Sequence, residues 1–476
     1  MGSVANFERD GFINSGRGQV YSRQASSFEG AQSRVPWGFP EFFAISQTAF
    51  PALLYLPGTQ ALRLPLRIAA FGISLAALLW WLGHRRRISA HPAMHWLALA
   101  IVWLGFMTFH PSTNTALAGV GQTLLYLSVL APLFWASAMV RTSHQLVRLL
   151  AILLICNGIN SIVGLLQVYA PGTFMPQEFS SIVMASKAGL ANYTYVDSFG
   201  KLAIRPPGLF DTPGTVCAAG MLAALLGFIF AVTVKRLDLR LGALLLGIAG
   251  VAAVYLSQVR TALLIMCGCM AVYVVVLWWI QKRVKTALAF LAVAVALITV
   301  LFFLTVARTG KVSQRRYQAL TASDPMTVYY DANRGNQLAH GFTELLPSYP
   351  LGAGLARWGM MRIYFGDETN LDSPPIWSEL QFNAWILDGG VILVCLYCLA
   401  LVAAVSQEIK IARTADPKLR LIACIIIAAN VGTLALIFGF TPFTTQLGMQ
   451  YWFLTGALYG VAKATGQISN ERIRTG

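Results

Sequence analysis

Apolar runs recur at about twelve places along this chain, and they decide what it can fold into. Roughly 20 apolar residues in helical form cross a hydrocarbon core of about 30 Å. Within lipid every backbone N–H and C=O must be satisfied inside the protein, so a spanning segment is a helix or part of a closed barrel. Long, continuous apolar runs fit helices. They fall at about 42–56, 68–83, 96–109, 118–140, 149–169, 216–234, 241–256, 263–280, 287–306, 385–405, 421–440 and 451–464. The first contains Ser46, Gln47 and Pro51, which leaves eleven as the alternative count. The expected fold is an all-α polytopic membrane protein with about twelve transmembrane helices. Composition agrees: the chain is 57% hydrophobic and 11% charged, with mean hydropathy +0.63, where a soluble domain carries roughly 25% charged residues.

A formal net charge of +16 would point a soluble protein towards nucleic acid. Here the basic residues recur after every even-numbered run: His84 to Arg87, Arg141 with Arg148, Lys235 to Arg240, Lys282 to Lys285, and Lys410 to Arg420. That alternation marks cytoplasmic loops. No basic patch interleaved with aromatics argues for nucleic-acid binding. Both termini then lie inside. Residues 1–36 lack the apolar stretch of a signal peptide and read as a disordered cytoplasmic tail. Residues 37–465 form the transmembrane domain, and 466–476 a C-terminal cytoplasmic tail. The seven cysteines all lie in or beside apolar runs. They read as small packing residues, and no disulfide is implied.

Two loops on the outer side are long, at about 170–215 and 307–384. The first ends in Arg205, a Pro206-Pro207-Gly208 turn, Asp211 and Pro213. An ordinary turn with a surface arginine is an equally good reading of it. Between the seventh and eighth runs, Ser257, Gln258 and Arg260 form a tight polar turn at the outer boundary. A cation at that depth must snorkel or find an anion. The second long loop opens with Arg308, Lys311, Arg315 and Arg316, which read as a solvated basic face. From about Ala332, a helix would place Arg334, Gln337, His340, Gly341 and Glu344 on one arc. Leu338, Phe342, Leu345 and Leu346 would fall on the other, so this helix is expected to lie on the bundle. Residues Tyr349 to Gly354 break it. With Arg357, Glu379 and Asp388 following, residues 331–388 hold the densest polar chemistry of the chain. The candidate active site is placed there. Inside the membrane, Asn157, Asn160 and Gln167 read as polar groups that bond helices together.

Several of these stretches together resemble one family, the bacterial O-antigen ligase and polysaccharide polymerase superfamily. Arg205-Pro206-Pro207-Gly208-Leu209-Phe210-Asp211-Thr212-Pro213 is similar to its R-x-x-G-x-F-x-x-P motif. Leu256-Ser257-Gln258-Val259-Arg260 resembles its L-S-x-S-R turn. Arg334, followed by Pro350-Leu351-Gly352-Ala353-Gly354, resembles the R…P-L-x-G-x-G of its large periplasmic loop. Glu379 to Gly390 looks like the element that re-enters the membrane. The resemblance covers roughly residues 119–405. Where ligases of this family carry a His-Asn pair, the chain reads Trp377-Ser378-Glu379-Leu380, and this departure favours a polymerase over a ligase.

The resemblance implies a bacterial inner-membrane glycosyltransferase acting at the periplasmic face. It would join undecaprenyl-diphosphate-linked oligosaccharide repeat units into O-antigen or exopolysaccharide, with inversion at the anomeric carbon. Its partners would be the lipid-linked glycan donor, a glycan acceptor, the bilayer and a chain-length regulator. The leaving group is a diphosphate, and arginine gives it bidentate contacts that never lose their charge. Arg205, Arg260 and Arg334 are the candidate diphosphate-binding residues. Glu379, by its motif position, and His340, by helix geometry, are the candidate catalytic bases; Glu344 is a further one. No metal or cofactor is expected, since no DxD motif stands in a suitable outer loop. The alternatives are a ligase, which transfers the glycan to lipid A-core or a protein, and a polysaccharide transporter, for which Asp388 would be the membrane carboxylate.

Overall fold

The computed structural model describes residues 36–84 except Pro57, 90–179, 183–184, 190–196, 200, 202–318 and 334–467. Residues 1–38 form one unit and 39–476 a second, which holds every element among the described residues. The two predicted tails fall almost entirely outside the described residues.

A helix occupies each predicted apolar run. In chain order these are α1 (Phe39–Leu53), α2 (Arg63–Gly83), α3 (Ala93–Met107), α4 (Ala116–Met139), α5 (Ser143–Tyr169), α6 (Val216–Thr233) and α7 (Leu237–Leu256). They continue with α8 (Arg260–Gln281), α9 (Val284–Gln318), the short α10 (Gly359–Phe365), α11 (Gln381–Thr414), α12 (Pro417–Leu436) and α13 (Gln446–Ala464). Among the described residues, nine helices are long and apolar enough to cross a membrane. The chain is an all-α, multi-pass membrane protein. Helices α1 and α3 have only 15 residues each, about 22 Å of rise.

Packing follows from small residues and caps. Helices α6 and α7 form a tight hairpin in which a methyl group on Gly227 would stand 2.6 Å from the Gly247 Cα. Close approach through small residues is how helices associate in lipid, where apolar burial supplies no drive. Thr115 and Thr142 cap α4 and α5, each accepting from a backbone N–H at 3.1 Å. Trp135 of α4 is fully buried, edge-on to Phe39 and Phe43 of α1 at 5.1 and 4.8 Å. Arg148, expected in a cytoplasmic loop, lies instead on α5 and pairs with the buried Glu41 of α1.

The long segments between spans depart from expectation in three ways. The first long loop carries a two-stranded antiparallel hairpin, β1 (Thr194–Val196) with β2 (Leu202–Ile204). Helix α9 runs on to Gln318, so the basic run 308–316 extends a span and is not a loop. The amphipathic helix runs without a break but widens to a π turn at Gly341–Leu345, between α-helical Asn336–His340 and Leu346–Ser348.

Candidate functional site

The turn that follows β2 is locked from three sides. Gly208 adopts φ +68°, a conformation that a side chain resists. Its N–H donates to Gln167 Oε1 at 2.8 Å, and its carbonyl accepts from Gln167 Nε2 at 2.6 Å. Asn160 Oδ1 accepts from the Leu209 N–H at 2.7 Å. Asn160 and Gln167 of α5 therefore fix this loop; they do not bond helices to one another as expected, because two residues of the loop sit within reach of their amides. Tyr55, just beyond α1, donates its hydroxyl to the carbonyls of Gly208 and Phe210, the latter at 3.0 Å. Burial pushes the Tyr55 phenol well up, so it stays a donor.

Asp211 is the third anchor. It is nearly inaccessible, and its carboxylate accepts from Arg63 Nε at 3.1 Å and from an Arg67 guanidinium nitrogen at 2.9 Å. Arg63 also pairs with Glu178 at 3.2 Å. Arg67 also donates to the Tyr364 hydroxyl at 3.0 Å, on α10. The two arginines at the start of α2 thus tie the first long loop to the second. Neither was singled out from sequence. The signal was present: under the charge rule both stand on the outer side, the anomaly that drew attention to Arg260.

Arg205 and the Ser257–Arg260 turn meet around Gly214. A Cβ there would stand 3.9 Å from the Arg205 side chain and 3.6 Å from Val259. Ser257 and Gln258 are buried and hold their own turn: Ser257 donates to the Val254 carbonyl at 2.7 Å, Gln258 to that of Tyr255 at 3.1 Å. Arg260 opens α8 just beyond them, half-buried like Arg205.

The second stretch converges on a break in α11. At Gly389 and Gly390 the backbone leaves the helix, with φ +61° and ψ −154° at Gly390. The Pro350–Ala353 turn fills the gap. The Val391 N–H donates to the Pro350 carbonyl at 2.9 Å, and the Ala353 N–H to the Leu387 carbonyl at 2.7 Å. Backbone groups freed by the break are satisfied by the inserted turn, as the bilayer requires. Asp388 is fully buried at this junction. It accepts from Trp358 Nε1 at 2.9 Å on one oxygen, and from Gln122 Nε2 at 3.0 Å and the Tyr126 hydroxyl at 2.8 Å on the other. Arg357 is buried and structural, donating to the carbonyls of Pro374 and Ala353 at 2.8 and 2.9 Å. Burial draws its guanidinium below the usual range.

Of the predicted site residues, the fold brings Arg334 and Glu379 into an ion pair, each side chain about one-third exposed at 34% and 31%. Arg334 also donates to Gln337 at 3.3 Å. His340 stands apart, paired with Glu344 at 3.1 Å on an exposed face. Gly341, expected on the polar arc, is buried, since the Asn383 side chain packs directly on it. Asn383 Nδ2 donates to the Gln337 carbonyl at 2.9 Å, which seats this segment on the first turn of α11. No family model matches the chain, and no curated protein matches it.

Proposed function

We propose that the chain is a twelve-span inner-membrane polymerase with both termini in the cytoplasm, joining undecaprenyl-diphosphate-linked repeat units at the periplasmic face. The observation that carries this reading is the meeting of Arg205 with the Ser257–Arg260 turn around Gly214. In this reading Arg205 and Arg260, from separate loops, supply the charge stabilisation that a membrane-bound diphosphate leaving group needs. Glu379 takes the proton of the attacking sugar hydroxyl, and Arg334 orients that carboxylate through the ion pair. A base must reach the hydroxyl directly or through one water, and a one-third exposed carboxylate can.

The test is a lipid-linked oligosaccharide assay on purified protein in lipid nanodiscs, with and without a separate acceptor lipid. A ladder of products from donor alone is the expected result; product only with lipid A-core or a protein acceptor supports the ligase. Each lost charge-assisted contact is worth about 1.5–3 kcal/mol. Arg205→Ala or Arg260→Ala should therefore slow the reaction about ten- to a hundredfold. Full-rate synthesis by Arg260→Ala defeats the donor-site assignment. Orientation is checked by cysteine labelling: Glu368→Cys reacts from the periplasm, His84→Cys only after permeabilisation.

A further inference from the structure

Helix α11 carries a second buried carboxylate, Glu408, that the proposed reaction does not use. It is 1% exposed. Two neutral donors reach it, Asn430 Nδ2 of α12 and the Thr455 hydroxyl of α13, both at 2.7 Å. Both converge on the same oxygen, Oε1. Asn430 Nδ2 also donates to the Thr455 hydroxyl at 3.0 Å, closing a three-helix knot. No Lys or Arg forms an ion pair with Glu408 among the described residues. Helix α12 has no charged residue beyond Arg420 and α13 none before Lys463; on α11 itself Lys410 is exposed. Tyr451 of α13 is the titratable group within electrostatic reach of it.

An isolated ionised carboxylate in an apolar interior is far too unstable to persist, so the group neutralises or takes a cation. An ionised carboxylate offers acceptor sites on both oxygens, whereas a protonated one has an O–H donor on one side. The donors at Asp388 are shared between both oxygens; those at Glu408 gather on one. A small cavity adjoins the knot. It holds about 40 Å³ and is lined by Asn430, Gln450 and Tyr451 with Leu225, Leu436 and Leu454. Gln450 Nε2 and the Tyr451 hydroxyl are buried there without a partner. By volume it has room for about three waters; its wall is mostly apolar, and Asn430, which donates to Glu408, is one of the few polar groups on it, with Thr433, Gln450 and Tyr451.

We propose that Glu408 is a proton-binding site inside the membrane: a neutral carboxylic acid whose carbonyl oxygen is held by Asn430 and Thr455, exchanging its proton by way of this cavity. This goes beyond the glycosyl-transfer reading and does not depend on it.

The test is infrared difference spectroscopy of the purified protein in lipid nanodiscs at neutral pH, wild type minus Glu408→Gln. The expected spectrum contains the C=O band of a protonated carboxyl, absent from the variant and fading as the pH is raised. Adding sodium at fixed pH leaves it in place. Thr455→Val keeps the acid and removes one hydrogen bond to Oε1, so the same band moves to higher frequency; this variant keeps the test open should Glu408→Gln fail to fold. A difference spectrum showing only carboxylate stretches overturns the proposal. So does a band that sodium erases at constant pH, which would make the site a cation site, and so does a band indifferent to Thr455→Val.

Discussion

Asp388 and Glu379 stand nine residues apart on one stretch of chain, and the fold treats them in opposite ways. Asp388 is sealed at the break in α11 by three neutral donors from two other parts of the chain, α4 and the turn that holds Trp358. Glu379 lies just outside the first turn of α11, one-third exposed, facing a single arginine. The difference separates architecture from chemistry. A carboxylate whose two oxygens both accept from buried donors holds those donors in place and cannot reach a substrate. One that shares a surface ion pair can exchange its partner for a ligand, because water already competes for both charges. Asp388 is therefore assigned to the junction.

The largest expected effect comes from Asp388→Ala. It leaves Gln122, Tyr126 and Trp358 without their acceptor, and a buried unsatisfied donor costs about 1–3 kcal/mol. The protein should lose on the order of 3 kcal/mol or more of stability, read as a lower melting temperature in detergent; Asp388→Asn, which keeps an acceptor oxygen, should lose less. A melting temperature unchanged by Asp388→Ala erases the distinction between the two carboxylates.

Next in size is Gly390→Ala. With φ +61° and ψ −154°, Gly390 sits in a region that is nearly glycine-only and costs a side chain about 1–3 kcal/mol, and here the new methyl collides with the Pro350 carbonyl. The expected outcome is a destabilised junction with faster proteolysis in the 350–353 turn. Ordinary protease resistance would mean that the inserted turn does not depend on the break.

Smaller in stability, though large in activity, is the Arg334–Glu379 pair. A double-mutant cycle of Arg334→Gln and Glu379→Gln should give a coupling of about 0–1 kcal/mol, as for exposed pairs. Glu379→Gln keeps shape and loses basicity, so glycan synthesis should cease while the melting temperature holds. A coupling as large as that of a buried pair would move Glu379 into the architectural class.

The smallest effect is expected of His340→Ala. Its only charged partner in the described structure is the exposed Glu344, so stability should not change measurably and activity should fall less than with Glu379→Gln. An inactive His340→Ala beside a working Glu379→Gln would transfer the role of base to His340 and revive the ligase reading.

Much of the fold was legible because hydropathy is a local property. Each apolar run became a helix within a few residues, since the bilayer leaves an apolar segment few alternatives. The Tyr349–Gly354 turn was visible as a break, whereas Gly389-Gly390 was read as part of the run 385–405 and its break was not visible. Nor was it visible that one break fills the other, because the two are about forty residues apart and their hydrogen bonds leave no pattern in sequence. The candidate site was legible as a set of charges in the wrong place. Arg205, Arg260 and Arg334 stood out on the outer side; Arg63 and Arg67 carried the same mark and were passed over, since their partner, Asp211, lies about 150 residues further on.

By itself, then, the sequence determined an all-α, multi-pass membrane protein with its polar chemistry gathered in the long stretches between apolar runs. Those properties follow from composition along short windows, and lipid enforces them segment by segment. Only the tertiary structure decided which carboxylate is buried, which arginine is structural and which amide holds a loop. Burial and pairing depend on side chains brought together from remote parts of the chain. The same Asp or Arg can anchor the fold or serve at its surface, according to which donors and acceptors packing places within 3 Å or so of it.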